Sequence, residues 1–306
     1  MGLIMKHIYV CFGIAFLLAL LSAGCGLLDN DNKGQCAANC EDIQFMRIDR
    51  EPSWSPDGES IAFIRGSTEP GKHGIYLIGP DGENLRQIHS GVAGSPSWSP
   101  DGEWIAFHQG AQIYKKHVKT DSLVQLTNQG RNFHPAWSPD GEWIAYDRTI
   151  EDEHGPAGVW IMEPNGGGKV YLFRARSPNW NPDGQSLIAW NGVSPTSIWK
   201  RFEIYFLNSS TPIRKLDAVV GDNRYPRYSP DGLKIIFASQ PEGGGYHQVW
   251  VMDANDTNTR QLTKNGGWAA DWSPDGEWIV YTETYNTGRL WLMRSAGSDQ
   301  QQLTFE

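Results

Sequence analysis

Histidine is the side chain best suited to proton transfer or metal binding near neutral pH, and the chain contains eight. No two of them stand at a spacing such as His-x-x-x-His, which would put both on one helix face. His73, His154 and His247 fall in separate loop-like segments, His89, His108 and His117 in or beside strand-like ones, and His134 by itself. No Gly-x-Ser-x-Gly elbow is present to expose a serine nucleophile. The 35 acidic residues leave room for a carboxylate pair of the kind that cleaves glycosides, but no linear pattern singles one out. Asp253-Ala254-Asn255-Asp256 offers oxygen ligands without the rest of a calcium loop and reads as a turn. Cys36 and Cys40 form a lone Cys-x-x-x-Cys without the second ligand pair of a zinc site. The sequence thus predicts no catalytic residue, no metal and no cofactor, and any chemistry has to be assembled by the fold.

The element that could assemble it is a repeat. Trp-Ser-Pro-Asp-Gly or a near variant begins at Trp54, Trp98, Trp137, Trp180, Tyr228 and Trp272, at spacings of 44, 39, 43, 48 and 44 residues. So even a period marks a repeat architecture. In the third copy, Pro135 to Ser138 and Trp143 to Tyr146 flank Pro139-Asp140-Gly141. Proline there presets φ and glycine accepts φ > 0, which is a hairpin signal. Val159 to Met162 and Val170 to Phe173 supply two more strands rich in β-branched and aromatic side chains, across a turn at Asn165 to Gly168. A four-stranded sheet this short cannot bury both faces alone. Six of them predict an all-β, six-bladed β-propeller, each blade a four-stranded antiparallel sheet, with the tryptophans between blades.

The repeats resemble those of TolB-family propellers, which are also found in the propeller domains of some peptidases and in oligogalacturonide lyases. The resemblance covers residues 43 to 306, with Asn181 for Ser, Tyr228 for Trp, and Ala270-Asp271 where the last copy lacks its leading proline. TolB itself carries an α/β domain ahead of its propeller, for which the residues before 43 leave no room. Lyases of this kind hold a metal through several converging histidines, whereas only His134 is expected near the channel here.

In a propeller the Ser-Pro-Asp-Gly turns gather on one face and the loops between second and third strands on the other. The turn face is nearly uniform between copies; the opposite loops vary, and binding residues concentrate on such loops. Residues just before each inner strand should ring the channel mouth on that variable face, which makes Arg50, Glu51, Phe133, His134, Arg176, Arg224, Tyr225 and Trp268 the candidate binding set. In the loops, Trp199, Lys200, Arg201 and Phe202 pair aromatics with cations, the types favoured as interface anchors, unless Trp199 and Phe202 instead begin a longer third strand. Glu151-Asp152-Glu153-His154 reads as a solvated acidic loop. Blades one and six look complete without exchanging a strand, so they are expected to meet by face packing alone unless Ile43 to Arg47 adds an outer strand.

Ahead of the repeats, Lys6 and His7 precede an apolar run from Ile8 to Leu21 and then small residues, the pattern of a secretory leader. Leu21-Ser22-Ala23-Gly24-Cys25 resembles a bacterial lipobox, which implies a signal peptide over 1–24, lipidation of Cys25 and a flexible tether over 25–42. Gly26 after the cysteine implies the outer membrane in a Gram-negative cell. Cys36 and Cys40 in an exported protein predict a disulfide. A net charge of −9 from 26 basic and 35 acidic residues, with no basic run, excludes nucleic acid as an expected partner. The function expected is a non-catalytic, lipid-anchored, monomeric envelope propeller that binds a protein or peptide. The alternative is a periplasmic or surface protein acting on polysaccharide fragments, with His134, Glu51, Arg176 and Arg224 as its working residues.

Overall fold

The computed structural model describes residues 47–191, 201–207, 212, 214–216, 221–241, 244–284 and 288–305. The chain divides into a unit Met1–Gln44, outside the described residues, and a unit Phe45–Glu306. Cys25, Cys36, Cys40, Trp199, Lys200 and the Ile43 to Met46 segment likewise lie outside the described residues. Among the described residues no helix is long and apolar enough to cross a membrane.

Among the described residues, twenty-four strands form six four-stranded antiparallel sheets, each built from four consecutive segments. The blades begin with inner strands Arg47–Trp54, Ala93–Trp98, Asn132–Trp137, Arg176–Trp180, Gly221–Tyr228 and Trp268–Trp272. Second strands such as Ile61–Ser67 and Ile144–Arg148 are buried on both sides over most of their length, because each blade is covered by a neighbour on either face. This is why their sequences, Ile-Ala-Phe-Ile and Ile-Ala-Tyr, do not alternate polar with apolar as a half-exposed strand would.

The repeated turn is a hydrogen-bonded clasp. In blade three the Ser138 hydroxyl donates to Asp140 at 2.6 Å and accepts from the Trp143 amide at 2.9 Å, while Asp140 accepts from the Glu142 amide at 3.0 Å. Gly141 sits at φ +74°, and a Cβ there would lie 3.3 Å from Pro100 of blade two, so glycine serves both the turn and the approach of the neighbouring turn. The serine hydroxyl and the backbone N–H together hold the carboxyls of Asp57, Asp140, Asp231 and Asp275 below the usual range.

The seams between blades alternate in kind. The indoles of Trp98, Trp180 and Trp272, in the even blades, donate to the carbonyls of Ser53, Ala136 and Arg227 in the preceding odd blades at 3.0, 3.0 and 3.4 Å. At the other three seams a side chain of the even blade accepts a backbone N–H of the next odd blade. Ser97 takes Trp137, Asn179 takes Tyr228, and Asp271 takes Trp54, at 3.2, 3.1 and 2.8 Å. The residue before the motif aromatic makes every one of these bonds.

Ring closure differs from the expectation of face packing alone. The seam between blades six and one carries the Asp271 bond, a Glu51 N–H to Thr282 hydroxyl bond at 3.1 Å and an Asp49 N–H to Gly288 carbonyl bond at 2.8 Å. Arg47 opens the inner strand of blade one and adds nothing to the outer edge of blade six.

Two outcomes follow. Trp180→Ala, which removes a buried indole and its inter-blade bond, should cost about 3 to 5 kcal/mol in chemical denaturation. In native-state hydrogen exchange the Trp54 amide should be protected as strongly as those of Trp137 and Tyr228; markedly faster exchange at Trp54 would mean that the closing seam is weaker than the others.

Candidate functional site

The mouth of the channel is set by a bulge that every inner strand shares. The ladder between first and second strands skips two residues in each blade, for instance between Arg50 and Ser53 and between Arg224 and Arg227. The first skipped residue is left-handed in all six: Glu51 at φ 53°, Ser95 at 52°, His134 at 49°, Ser177 at 47°, Tyr225 at 52° and Ala269 at 45°. Five of these precede a proline, which has no N–H to give the ladder, so the bulge places the proline where no bond is needed. The mouth residues therefore lie inside the inner strands, not before them.

Ring residues alternate in size, with Glu51, His134 and Tyr225 in odd blades and Ser95, Ser177 and Ala269 in even ones. The small residues let the large ones meet: the His134 and Tyr225 rings stand 5.9 Å apart across the intervening Ser177 blade. Glu51 Oε2 accepts from the Ser95 amide at 2.5 Å and from its hydroxyl at 3.2 Å. Burial pushes the Glu51 carboxyl up, but Arg50, His108, the Ser95 N–H and His134 outweigh it and hold it below its ordinary value. Three large, partly exposed side chains thus converge at the mouth.

Beside His134 stand residues that the sequence reading passed over. His134 Nδ1 and Asp147 Oδ1 are 2.5 Å apart, and Asp147 is fully buried in the second strand of blade three, where it also accepts from the Ser177 amide at 3.3 Å. Nδ1 is thus the ring nitrogen that faces the carboxylate, and Nε2 the one turned away from it. His108 occupies the space left by Gly94, where a Cβ would come within 2.3 Å of its ring, and lies edge-on to Phe133 at 5.0 Å. Burial pushes the His108 imidazole down to about 4. His108, Asp147 and Thr282 hold the same register, opposite Gly94, Phe133 and Trp268. A polar residue closing an otherwise apolar second strand was the available signal.

The remaining candidates divide. Tyr225 packs edge-on to Trp268 at 5.0 Å, and Trp268 against His247 at 4.3 Å, with the Arg224 guanidinium 5.5 Å from the Trp268 ring. Trp268 is itself buried, so it supports Tyr225 instead of forming exposed surface. Arg224 pairs with Asp222 at 2.7 Å, and Arg176 donates to the Thr149 carbonyl at 3.2 Å with its guanidinium 6.0 Å from the Trp190 ring. Phe202 is not a loop residue. It lies in the third strand of blade four, Arg201–Phe206, and packs edge-on to Phe237 at 5.2 Å within the core between blades four and five. In the acidic loop Asp152 is bound by Arg148, which also donates to the His154 carbonyl at 3.1 Å. Exposed on the mouth side is Tyr246, in the loop between second and third strands of blade five.

A model described as the TolB beta propeller domain matches residues 41–174 and again 169–306. The chain belongs to the TolB β-propeller domain family. A protein from Agrobacterium tumefaciens assigned as a TolB is 23% identical, with a TM-score of 0.62 over 72% of this chain and 84% of its own. TolB from Acinetobacter baumannii is 20% identical, with a TM-score of 0.64 over 83% of this chain and 62% of its own. A protein from Sulfurisphaera tokodaii assigned as the C-terminal subunit of a Tricorn-like protease is 30% identical over 100 residues, 31% of this chain but only 11% of that protein's length. The two structural likenesses establish the fold of this TolB-type propeller and leave its site to its own residues.

Chemically, the mouth offers one imidazole oriented by a buried carboxylate. Among the described residues no three histidines, cysteines or acids come together as a metal site. The low affinity of His108 for a proton has a testable sign. An unfolded histidine is protonated near pH 6.5, whereas His108 in the fold resists until about pH 4. Between those values the unfolded chain binds more protons, so stability falls as pH falls through the window. Imidazole NMR should show one histidine titrating near pH 4, and His108→Gln should make the stability loss between pH 7 and 4.5 smaller than in the parent chain.

Proposed function

We propose that this chain is a non-catalytic, lipid-anchored envelope propeller whose mouth face docks a protein or peptide partner. The convergence of Glu51, His134 and Tyr225 carries the reading: it gives the mouth a charged and aromatic surface, suited to a docked protein or peptide more than to an enclosed small substrate. Tyr225, Phe133, Arg50 and Arg224 on that surface and Tyr246 on its rim are residue types that act as interface anchors. Trp268 and Asp222 brace Tyr225 and Arg224 from behind, so less side-chain freedom remains to be lost on binding. The leader and the Leu21 to Cys25 lipobox supply export and attachment, and the TolB-type family agrees with a place in envelope assemblies.

The His134–Asp147 pair favours a second reading, a protein acting on polysaccharide fragments at the same mouth, since a carboxylate-oriented imidazole can take or give a proton. One set of variants separates the two. Immobilised full chain should retain an envelope partner that is lost with Tyr225→Ala and Arg224→Gln and kept with the turn-face change Glu59→Lys. Retention of that partner by both mouth variants would refute docking at the mouth. A saturable thermal shift with oligouronides that disappears in His134→Gln would transfer the site to the second reading.

A further inference from the structure

Two residues beyond the bulge, the inner strands line a second space to which Glu51, His134 and Tyr225 contribute nothing. A cavity of about 190 Å³ is lined from all six blades by Ser53, Ser97, Ala136, Asn179, Arg227 and Asp271, together with Pro56 and Pro100 of the repeated turns and Pro96 and Pro135 of the bulges. For comparison, an apolar cavity of about 150 Å³ is enough to hold a benzene-sized molecule. These six are the residues that precede each motif aromatic. In the even blades their side chains are committed to the seam. In the odd blades the seam uses the carbonyl, which releases the side chain to the channel. Two of the released side chains are small, and the third is Arg227.

Arg227 is poorly satisfied by the protein. It donates from Nη1 to the adjacent Pro226 carbonyl at 3.2 Å, and among the described residues it has no other hydrogen bond and no ion pair within 4.0 Å. Asp271, on the adjoining blade, binds the Trp54 amide through Oδ2. Each of the two charges offsets part of the other's burial cost, yet they do not touch. A purely structural pair in this protein looks different: Arg65 closes on Asp49 through two bonds of 2.7 and 2.9 Å. The separation of Arg227 from Asp271 instead leaves a donor fork and a carboxylate facing a space large enough for a ligand bearing the opposite groups in the opposite order.

We propose that this cavity binds an α-amino-acid end group, its carboxylate on the Arg227 guanidinium and its adjacent N–H on Asp271. The planar fork of arginine matches a carboxylate with two parallel bonds. The Ser97 hydroxyl and the Asn179 amide nitrogen stand in the same wall with hydrogens to donate, since both residues use oxygen lone pairs for the seam. The end group can belong to a free amino acid or to the last residue of a peptide reaching in from the turn face, because both carry a carboxylate beside an N–H. This site is independent of the mouth.

The test uses the full chain with glycine, triglycine and triglycinamide, read by thermal shift and calorimetry. A saturable response to glycine alone assigns the site to free amino acids, and a tighter response to triglycine assigns it to a peptide terminus. Triglycinamide, which lacks the carboxylate, should bind in neither case. Arg227→Gln should weaken binding about tenfold to a hundredfold, Arg227→Lys should retain part of it, and Tyr246→Ala on the mouth rim should leave it unchanged. The proposal is overturned if triglycinamide binds as well as triglycine, if folded Arg227→Gln binds as tightly as the parent, or if neither glycine nor triglycine binds at about 10 mM. The comparison of free and amidated peptide on the parent chain decides the matter even if Arg227→Gln fails to fold.

Discussion

The whole structure depends on how one inner strand is held to the next. Each blade is a small sheet with two apolar faces, and only the adjoining blades can cover them. The buried clusters accordingly cross the seams: Val159 and Phe173 of blade three pack with Leu187 and Tyr205 of blade four, and Ile61 and Tyr76 of blade one with Val280 and Leu292 of blade six. Phe173 and Tyr205 stack at 3.6 Å across their seam. Non-directional burial supplies the energy, while directional bonds at every seam, among them the one made by the residue before the motif aromatic, set how the blades meet.

The bonds made by the residue before the motif aromatic come in two kinds that alternate around the ring, so the six blades behave as three pairs. An indole reaching back to a carbonyl leaves the side chain of the accepting residue unconstrained. A side chain reaching forward to an amide must carry an oxygen, which is why Ser97, Asn179 and Asp271 fill the even positions while Ser53, Ala136 and Arg227 share no chemistry. The same alternation appears above, where large ring residues sit in odd blades and small ones in even blades. A ring of six large side chains would not fit on the axis, and a ring of six small ones would leave it open. Alternation brings three large side chains together at the mouth, two residues before the positions that line the cavity. All six bulge residues are left-handed, so this backbone strain belongs to the blade design and is shared equally, and it does not mark one residue as special.

Much of this was legible. In blade three the strands Gly158–Met162 and Val170–Phe173 fall within a residue of where β-branched and aromatic runs place them. The inner strand was harder, because Pro135 looks like a boundary. The strand in fact begins at Asn132 and passes through the proline by bulging, so His134 is part of the sheet and its side chain is aimed by it. Phe202 and Trp268 look like surface anchors in a linear reading, but pairing with Trp190 and Thr282 carries both into packed environments. Asp147 was one acid among many until the ladder set it opposite Phe133 and within a hydrogen bond of His134.

By itself, the amino-acid sequence determined the number of blades, the strand order within them, the turn chemistry and the family, because each depends on residues close together in the chain and repeated six times. It also determined the residue types available at each mouth and channel position. Tertiary structure alone decided which of those residues meet: His134 with Asp147 and Tyr225, Glu51 with Ser95, and Arg227 beside Asp271 without contact. These pairings join different strands or different blades. They depend on the twist of the bulge and the curvature of the closed ring, which place residues far apart in the chain on one axis, and no local pattern encodes that curvature.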